Sequence, residues 1–187
     1  WGYHLQNKYT DFGFSRVKSK DKSNLVKKIF ENVSGRYDLM NDFMSLGVHR
    51  VWKEKFIDWM NPQPNTKLID VASGTGDIAN LFFTRSNGTG EVICVEPNKE
   101  MLSLGKIKLK KNKSVKWINS SAESIPIEGN TFDYYSISYG IRNVTKIGNA
   151  LKEAFRVLKP GGRFMCLEFS KVDNEILGQS PKIFLGF

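Results

Sequence analysis

From residue 67 onward, short apolar runs alternate with helical patterns, and this alternation limits the fold more than any other feature of the chain. Between the runs, apolar residues recur at helical spacing, and the sequence KPGG stops the last helix. The predicted strands are 67–72, 91–95, 115–119, 132–138 and 162–169, and the predicted helices are 77–84, 99–109 and 146–158. Strands that alternate with helices predict right-handed crossovers and a parallel sheet, here a doubly wound α/β domain that binds ligands at the carboxyl ends of its strands.

The chain before residue 66 predicts helices without strands. Residues 1–22 are polar and irregular, and we interpret them as an arm. Ser23 can cap a helix that Gly35 ends, and two further helical pieces in residues 37–60 are broken at Gly47. The boundaries that follow, within one domain, are 1–65 for the arm and helical lead-in and 66–187 for the α/β core.

Composition agrees with one globular domain. Of the 187 residues 40% are hydrophobic, and no apolar run approaches the roughly 20 residues that a membrane-spanning helix needs. Cys94 and Cys166 each lie in an apolar run, which predicts buried thiols rather than a disulfide. Much of the net charge of +9 lies in the lysine-rich residues 105–116. Because no aromatic residue interleaves these lysines before Trp117, we interpret them as a solvated helix end rather than a nucleic-acid surface.

The turn after the first predicted strand has the pattern of a nucleotide site. In KLIDVASGTGDIANLF, Gly74 and Gly76 let the backbone turn sharply and approach a ligand. Glu96 ends the second strand about 20 residues further on, where an acid can accept both hydroxyls of a ribose. The stretch GTGDIA satisfies the dinucleotide fingerprint G-x-G-x-x-G/A, so an NAD-dependent oxidoreductase is one interpretation.

Two acids beside this turn favour a different nucleotide. Asp77 follows the turn at a helix N-terminus, where a pyrophosphate would compete with it for the same amides. Asp70 adds a second negative charge at the end of the first strand. These carboxylates suit the amino group and sulfonium of S-adenosylmethionine better than a pyrophosphate, although helix capping alone also explains Asp77.

Motifs along the whole chain carry a more specific resemblance. These are FGF, YDLMNDFMSLGVHRVWK, DVASGTGDIA, SYGIRNVT and RVLKPGGRFMCLEFS, in that order. Together they resemble the ubiquinone and menaquinone biosynthesis C-methyltransferases of the UbiE type, and the TDFGF arm is most similar to the mitochondrial branch that acts in coenzyme Q synthesis. The resemblance covers residues 10–172 and implies a class I methyltransferase with a Rossmann-like sheet.

The resemblance implies methyl transfer from S-adenosyl-L-methionine to a ring carbon of a methoxy-polyprenyl-benzoquinol. It assigns the methionine part to Thr75 and the Gly74 and Gly76 backbone, beside Asp70, and the ribose to Glu96. The remaining cofactor positions are Ser121, Ala122 and Ser138. The chain departs from the family with Ser73 in place of Gly, Ser121 in place of Asn and Glu96 in place of Asp; a serine keeps one hydroxyl but loses an amide.

The same resemblance directs attention to GIRN for catalysis. A quinol becomes nucleophilic at carbon when its hydroxyl loses a proton, so the site needs a base or a cation that stabilises the phenolate. Arg142 is the expected cation, Asn143 can orient the same oxygen, and Tyr37 can close the site from the lead-in. His49 is the alternative base, and no metal is expected because the histidines and cysteines lack ligand spacing.

The expected partners are a polyprenyl benzoquinol, a membrane surface, a multi-enzyme coenzyme Q complex and a second copy in a homodimer, but not nucleic acid. The resemblance implies a mitochondrial location on the matrix side of the inner membrane. A catalytically impaired scaffold and an RNA methyltransferase are the alternatives to the enzyme. Family members carry two more strands and a helix after the fifth strand, so we also expect a chain truncated at its C-terminus, whose fifth strand has an unpaired edge.

Overall fold

The computed structural model describes the backbone of residues 9–12, 15–18, 21, 48–169 and 181–186, and the side chains of residues 18, 21 and 49–168. The strands are β1 (Tyr9–Phe12), β2 (Ser15–Lys18), β3 (Lys67–Val71), β4 (Glu91–Val95), β5 (Val115–Ile118), β6 (Phe132–Ser138), β7 (Leu158–Phe169) and β8 (Pro181–Gly186). From residue 48 to residue 169 the helices are α1 (Val48–Met60), α2 (Asp77–Arg85), α3 (Lys99–Lys108) and α4 (Ile147–Val157), with one 3-10 turn at Ile141–Asn143.

The six strands from β3 to β8 form one sheet in the order β5-β4-β3-β6-β7-β8. The first five of these are parallel to one another, as the sequence predicts. The chain first winds outward from β3 to β5 and then returns to place β6 on the other side of β3. This reversal leaves a crevice at the carboxyl ends of β3 and β6, which is where open α/β sheets bind their ligands.

Two expectations about the ends of the chain are wrong. The predicted irregular arm contains the antiparallel pair β1 and β2, joined through Gly13 and Phe14, which lie outside the described residues. The predicted unpaired edge of β7 is paired, because β8 runs antiparallel along it from Phe169↔Pro181 to Phe164↔Gly186. The run KIFLG in β8 is rich in residues that favour strands, and pairing satisfies the backbone groups of β7 that an edge would leave open.

Two hydrophobic clusters cover the faces of the sheet. On one face, Phe56 and Ile57 of α1 and Phe82 of α2 pack with Leu68 of β3. On the other face, the alternate residues of β3 face Ala150 and Ala154 of α4. The period of two along β3 therefore places Asp70, which follows Leu68 by two residues, on the face that α1 and α2 cover.

A close contact between α3 and β5 holds the glycine turn from below. A Cβ on Gly105 of α3 would clash with Cη2 of Trp117, and a Cβ on Gly76 would lie 2.8 Å from Leu109 Cδ1 and 3.0 Å from Trp117 Cη2. Gly76 is therefore required by packing against α3 and β5 as well as by its φ of 84°. Gly74 has only an ordinary contact, 3.5 Å from Met101 Cε, so its Cβ-free side leaves space beside the turn.

Replacing Gly105 by alanine should destabilise the protein although alanine favours helices. The added methyl group meets the Trp117 ring, which we expect to cost about 1–3 kcal/mol of unfolding free energy. Gly148 of α4 is the matched control, because a Cβ there meets nothing within 4 Å. Gly148→Ala should stabilise by up to about 1 kcal/mol. Urea unfolding measures the change in unfolding free energy of each variant. A Gly105→Ala variant more stable than wild type would contradict the packing of Gly105 against Trp117.

Candidate active site

The backbone bends sharply where β3 and β6 leave the sheet. Ala72, directly after β3, has a φ of 53°, and Tyr139, directly after β6, has a φ of 55°. Gly140 then packs against the first turn, since a Cβ on it would lie 2.6 Å from Ala72 Cβ. Two side-by-side turns with left-handed residues thus open the crevice at the point of strand reversal.

Asp70 is a fully buried carboxylic acid at the floor of this crevice. Ser136, its neighbour on β6, donates a hydrogen bond to Oδ1 over 2.7 Å. The other oxygen, Oδ2, is buried and has no hydrogen-bond partner among the described residues. Burial raises the pKa of Asp70 to about 7, although the Ser136 bond and the charge of Lys53 oppose this.

Glu96 ties the end of β4 to the glycine turn. Its Oε2 accepts a hydrogen bond from the Gly74 N–H over 2.8 Å, and its Oε1 accepts one from the Asn98 N–H over 2.9 Å. Burial raises the pKa of Glu96 to about 7, and the two backbone bonds lower it only in part. Each oxygen keeps one lone pair, so the carboxylate can still accept hydroxyl groups.

The negative charge of Asp77 is paired with two lysines and is not available to a ligand as the sequence interpretation expected. Lys53 of α1 and Lys108 of α3 each lie 2.6 Å from one of its oxygens, and Lys108 also donates to Thr75 Oγ1 over 3.3 Å. Although burial opposes ionisation, the two lysines hold the pKa of Asp77 well below its usual value. N-capping does not explain Asp77 either, because the N-cap residue of α2 is Gly76 and no side chain caps this helix. The residue instead anchors α1 and α3 to the turn.

The end of β6 brings Arg142 against an acid that the sequence interpretation missed. Arg142 Nη1 lies 3.4 Å from Oε1 of Glu168, and the Arg142 N–H donates to Oε2 over 3.4 Å. Glu168 is buried near the carboxyl end of β7 whereas half of the Arg142 side chain is exposed, at 49%. Glu168 lies in the motif RVLKPGGRFMCLEFS, near the end of a predicted strand, as Glu96 does. That position in the sequence could have identified it as a candidate site residue. Burial and Glu168 raise the pKa of the adjoining Tyr139 to about 12, so this phenol remains protonated at neutral pH.

The other predicted residues fall into three groups. Ser138 at the end of β6 has a buried Oγ without a hydrogen-bond partner in the described part of the chain, and Asn143 is half-buried in the 3-10 turn. Ser121 is half-buried in the connection between β5 and β6, whereas Ala122 points into the core and would offer a ligand its backbone. Tyr37, with the lead-in residues before 48, lies outside the described residues.

The alternative base His49 and the two cysteines lie in packed parts of the protein. His49 is buried in α1 with 6% exposure, and Trp52 packs against the core. Both cysteines are free and buried, as predicted. Within the described residues, no group of histidine, cysteine and acidic side chains could hold a metal ion.

The residues at the carboxyl edge fit S-adenosylmethionine better than a pyrophosphate. Buried polar atoms without partners among the described residues gather there: Asp70 Oδ2, Ser138 Oγ and the Nδ2 of Asn98. Asp70 and Glu96 are acceptors that suit an ammonium group and ribose hydroxyls. The Asp70 charge beside the turn would repel a pyrophosphate, and the paired lysines at Asp77 are already engaged.

A sequence model of the ubiE/COQ5 methyltransferase family matches residues 16–185. The chain is 43% identical over 203 residues to "2-methoxy-6-polyprenyl-1,4-benzoquinol methylase, mitochondrial" of Dictyostelium discoideum, which covers 91% of the chain and 64% of that protein. It is 46% identical to "Ubiquinone/menaquinone biosynthesis C-methyltransferase UbiE" of Rickettsia bellii, covering 94% of the chain and 73% of that protein. The chain therefore spans about two thirds of the length of these relatives.

Solved structures share the fold. A SAM dependent methyltransferase from Aquifex aeolicus aligns with a TM-score of 0.60 at 22% identity, covering 66% of each chain. The YcgJ protein of Bacillus subtilis aligns with a TM-score of 0.58 at 25% identity, covering 65% of this chain and 51% of that protein. These alignments confirm the doubly wound α/β fold of the class I methyltransferase type that the sequence predicts.

Neutralising Asp70 should stabilise the ligand-free protein. An acid whose pKa is raised by folding binds its proton more tightly in the native state, so its contribution is fully present below the usual value near 4 and is lost as the pH rises through about 7. The unfolding free energy should fall less between pH 5 and pH 8 in Asp70→Asn than in wild type. At pH 8 the unfolding free energy of Asp70→Asn should be higher than that of wild type by about 2 kcal/mol. Urea unfolding across this range measures both effects.

Asp133→Asn is the control, because that carboxylate has an ion pair with Lys159 at 2.7 Å at the opposite end of the sheet. It should not stabilise the protein at pH 8. Equal pH dependence in wild type and Asp70→Asn would show that Asp70 is ionised at no cost in the native state.

Proposed function

Because the chain belongs to the ubiE/COQ5 methyltransferase family, we propose that it catalyses S-adenosylmethionine-dependent C-methylation of a methoxy-polyprenyl-benzoquinol in ubiquinone synthesis. The observation that carries this proposal is the pairing of Arg142 with Glu168 beside two buried acids, Asp70 and Glu96, at one edge of the sheet. The names of the Dictyostelium and Rickettsia relatives support the substrate class. The family match gives no support to an NAD-dependent oxidoreductase.

We assign cofactor binding to the groups at the ends of β3, β4 and β6. S-adenosylmethionine supplies the methyl group as an electrophilic sulfonium. Asp70 and the Gly74, Thr75 and Gly76 backbone hold the methionine end, and Glu96 accepts the ribose hydroxyls. Ser121, Ala122 and Ser138 complete the cofactor site.

Arg142 is the proposed centre of substrate activation. A quinol carbon is a better nucleophile when the neighbouring oxygen carries negative charge, and a guanidinium stabilises that charge without titrating. The ion pair with Glu168 limits the directions in which the guanidinium can point. Asn143 orients the same oxygen, and Tyr37 closes the site. Tyr139 is not a base at neutral pH, because its pKa is raised to about 12.

The polyprenyl tail of the proposed substrate is apolar and partitions into a membrane, so the protein must reach its substrate at a membrane surface. No helix among the described residues is long and apolar enough to cross one. Exposed lysines nevertheless surround the end of α3, at Lys106, Lys110, Lys111, Lys113 and Lys116. Such a surface is attracted to anionic lipid, so we propose peripheral contact with the matrix side of the mitochondrial inner membrane. We also propose that the protein acts within a coenzyme Q complex and as a homodimer. The mitochondrial names of the Dictyostelium and Danio rerio relatives support the organelle.

Removing the Arg142 charge should abolish methyl transfer and spare cofactor binding. We expect Arg142→Ala to lower turnover of a short-chain methoxy benzoquinol by at least about 100-fold, because the phenolate loses its cation. The dissociation constant for S-adenosylhomocysteine should change less than about threefold, since Arg142 acts on the substrate. Transfer of a labelled methyl group and calorimetric titration measure the two quantities.

Arg163→Ala is the matched control, because Arg163 lies in the middle of the strand that carries Glu168, and among the described residues its side chain makes one hydrogen bond, of 3.4 Å to the Met60 carbonyl. It should retain activity. Full activity in Arg142→Ala would disprove the assignment, whereas a wild-type chain that binds the cofactor without transferring methyl groups would support the impaired scaffold.

Titration of the wild-type protein separates the two nucleotide classes. Glu96 can accept the ribose hydroxyls of either nucleotide, whereas the charge of Asp70 beside the glycine turn should favour S-adenosylmethionine and repel the pyrophosphate of NAD. Calorimetry with each compound under the same salt conditions is the measurement. Saturable NAD binding would support an NAD-dependent oxidoreductase. RNA binding with a steep dependence on salt would support an RNA methyltransferase.

A further inference from the structure

The connection between β5 and β6 holds its shape without regular structure. Residues 119–131 contain no helix or strand, and a connection of this length is usually either functional or held by its surroundings. Its first part carries Ser121 and Ala122, two of the proposed cofactor residues. The contacts that fix this connection therefore bear on cofactor binding.

One ion pair on α4 holds the middle of this connection. Glu153 and Arg156 bond to each other, through Nε to Oε1 over 2.7 Å and Nη2 to Oε2 over 2.8 Å. Arg156 also donates from Nη1 to the Ile127 carbonyl over 2.6 Å and from Nη2 to the Ile125 carbonyl over 2.8 Å. Glu153 Oε2 accepts the Ile125 N–H over 2.7 Å. The pair thus satisfies three backbone groups of the connection at once.

The geometry requires arginine at this position. A guanidinium is a planar fork that can address two carbonyls and a carboxylate together, whereas an ammonium on a flexible stem cannot keep all these directions. The hydrogen bond from Arg156 lowers the pKa of Glu153, so the acceptor stays ionised at neutral pH. Charge-assisted bonds of this kind are stronger than bonds between neutral groups.

The other hydrogen bonds that tie the connection to the rest of the protein lie toward its two ends, where Asn119 Nδ2 donates to the Glu96 and Pro97 carbonyls over 2.8 and 2.9 Å. At the near end, Glu123 accepts the Lys146 N–H over 2.6 Å, and Ala122 packs into the core with Ile125. At the far end, the Asn130 N–H donates to the Arg156 carbonyl over 2.9 Å. Between these ends, the Glu153 and Arg156 side chains hold the backbone at residues 125–127.

We propose that Glu153 and Arg156 are positioning residues that set cofactor affinity by holding residues 119–127 in the binding geometry. The pair touches neither cofactor nor substrate; it acts through the backbone on Ser121 and Ala122. This inference rests on the proposed function, in which those two residues contact S-adenosylmethionine. Without the pair, the connection samples other conformations, and binding must then select the competent one.

The test compares Arg156→Met, Arg156→Lys and the control Arg85→Met. Arg85 also bonds a carboxylate through two nitrogens, at 3.1 and 2.9 Å from Asp58 Oδ1, but that pair joins α1 to the end of α2 away from the connection. For each protein we would measure the dissociation constant for S-adenosylhomocysteine by calorimetry, amide hydrogen exchange in residues 119–131, and the unfolding midpoint in urea.

Arg156→Met should raise the dissociation constant at least about tenfold and speed exchange in residues 119–131, while Arg156→Lys restores part of both. Arg85→Met should leave both unchanged at a comparable loss of stability. Unchanged affinity in Arg156→Met, or an equal loss in Arg85→Met, would overturn the inference. Should Arg156→Met not fold, Arg156→Lys must show the intermediate loss for the inference to stand. A wild-type protein that does not bind S-adenosylhomocysteine would instead refute the proposed function.

Discussion

The parallel pairing of β3 with both β4 and β6 is the constraint on which the remaining structure depends. Because β3 is the strand from which the chain winds in both directions, its carboxyl end lies between two others, and the turn after it meets the turn after β6. That meeting is close enough to require Gly140 against Ala72. Each proposed cofactor or substrate group in the described residues lies on a chain segment that leaves this edge.

The same edge concentrates charge, and the protein treats its acids in two ways. Asp77 is ionised and its charge is balanced by Lys53 and Lys108, so this residue joins helices and leaves no unpaired charge at the edge. Asp70 and Glu96 are buried and have no cation in contact among the described residues. Burial raises the pKa of each carboxyl, so ionising them in the native state costs folding free energy. A cost of this kind in the ligand-free protein is typical of groups that a ligand later satisfies.

Elements with a strong period were predictable, and elements that depend on pairing were not. The five parallel strands and the helices between them begin and end within a few residues of the predicted bounds, because burial on both faces writes a continuous apolar run into each strand. The hairpin of β1 and β2 and the edge strand β8 are short, and their pairing partners decide them. Similarly, Lys108 lies in a lysine-rich run that predicts solvent exposure, yet it reaches Thr75 and Asp77 across the turn.

The sequence by itself determined the fold class, the nucleotide edge and the residue types at it, since these follow from periodicity and from acids placed at strand ends. Only the tertiary structure decided which charges are available. Contacts between residues far apart in the chain, such as Arg142 with Glu168 and Asp77 with Lys53, set which charges are paired and in which direction each side chain points. A linear pattern does not encode these distances, because the reversal of strand order at β3 brings together segments that the chain separates.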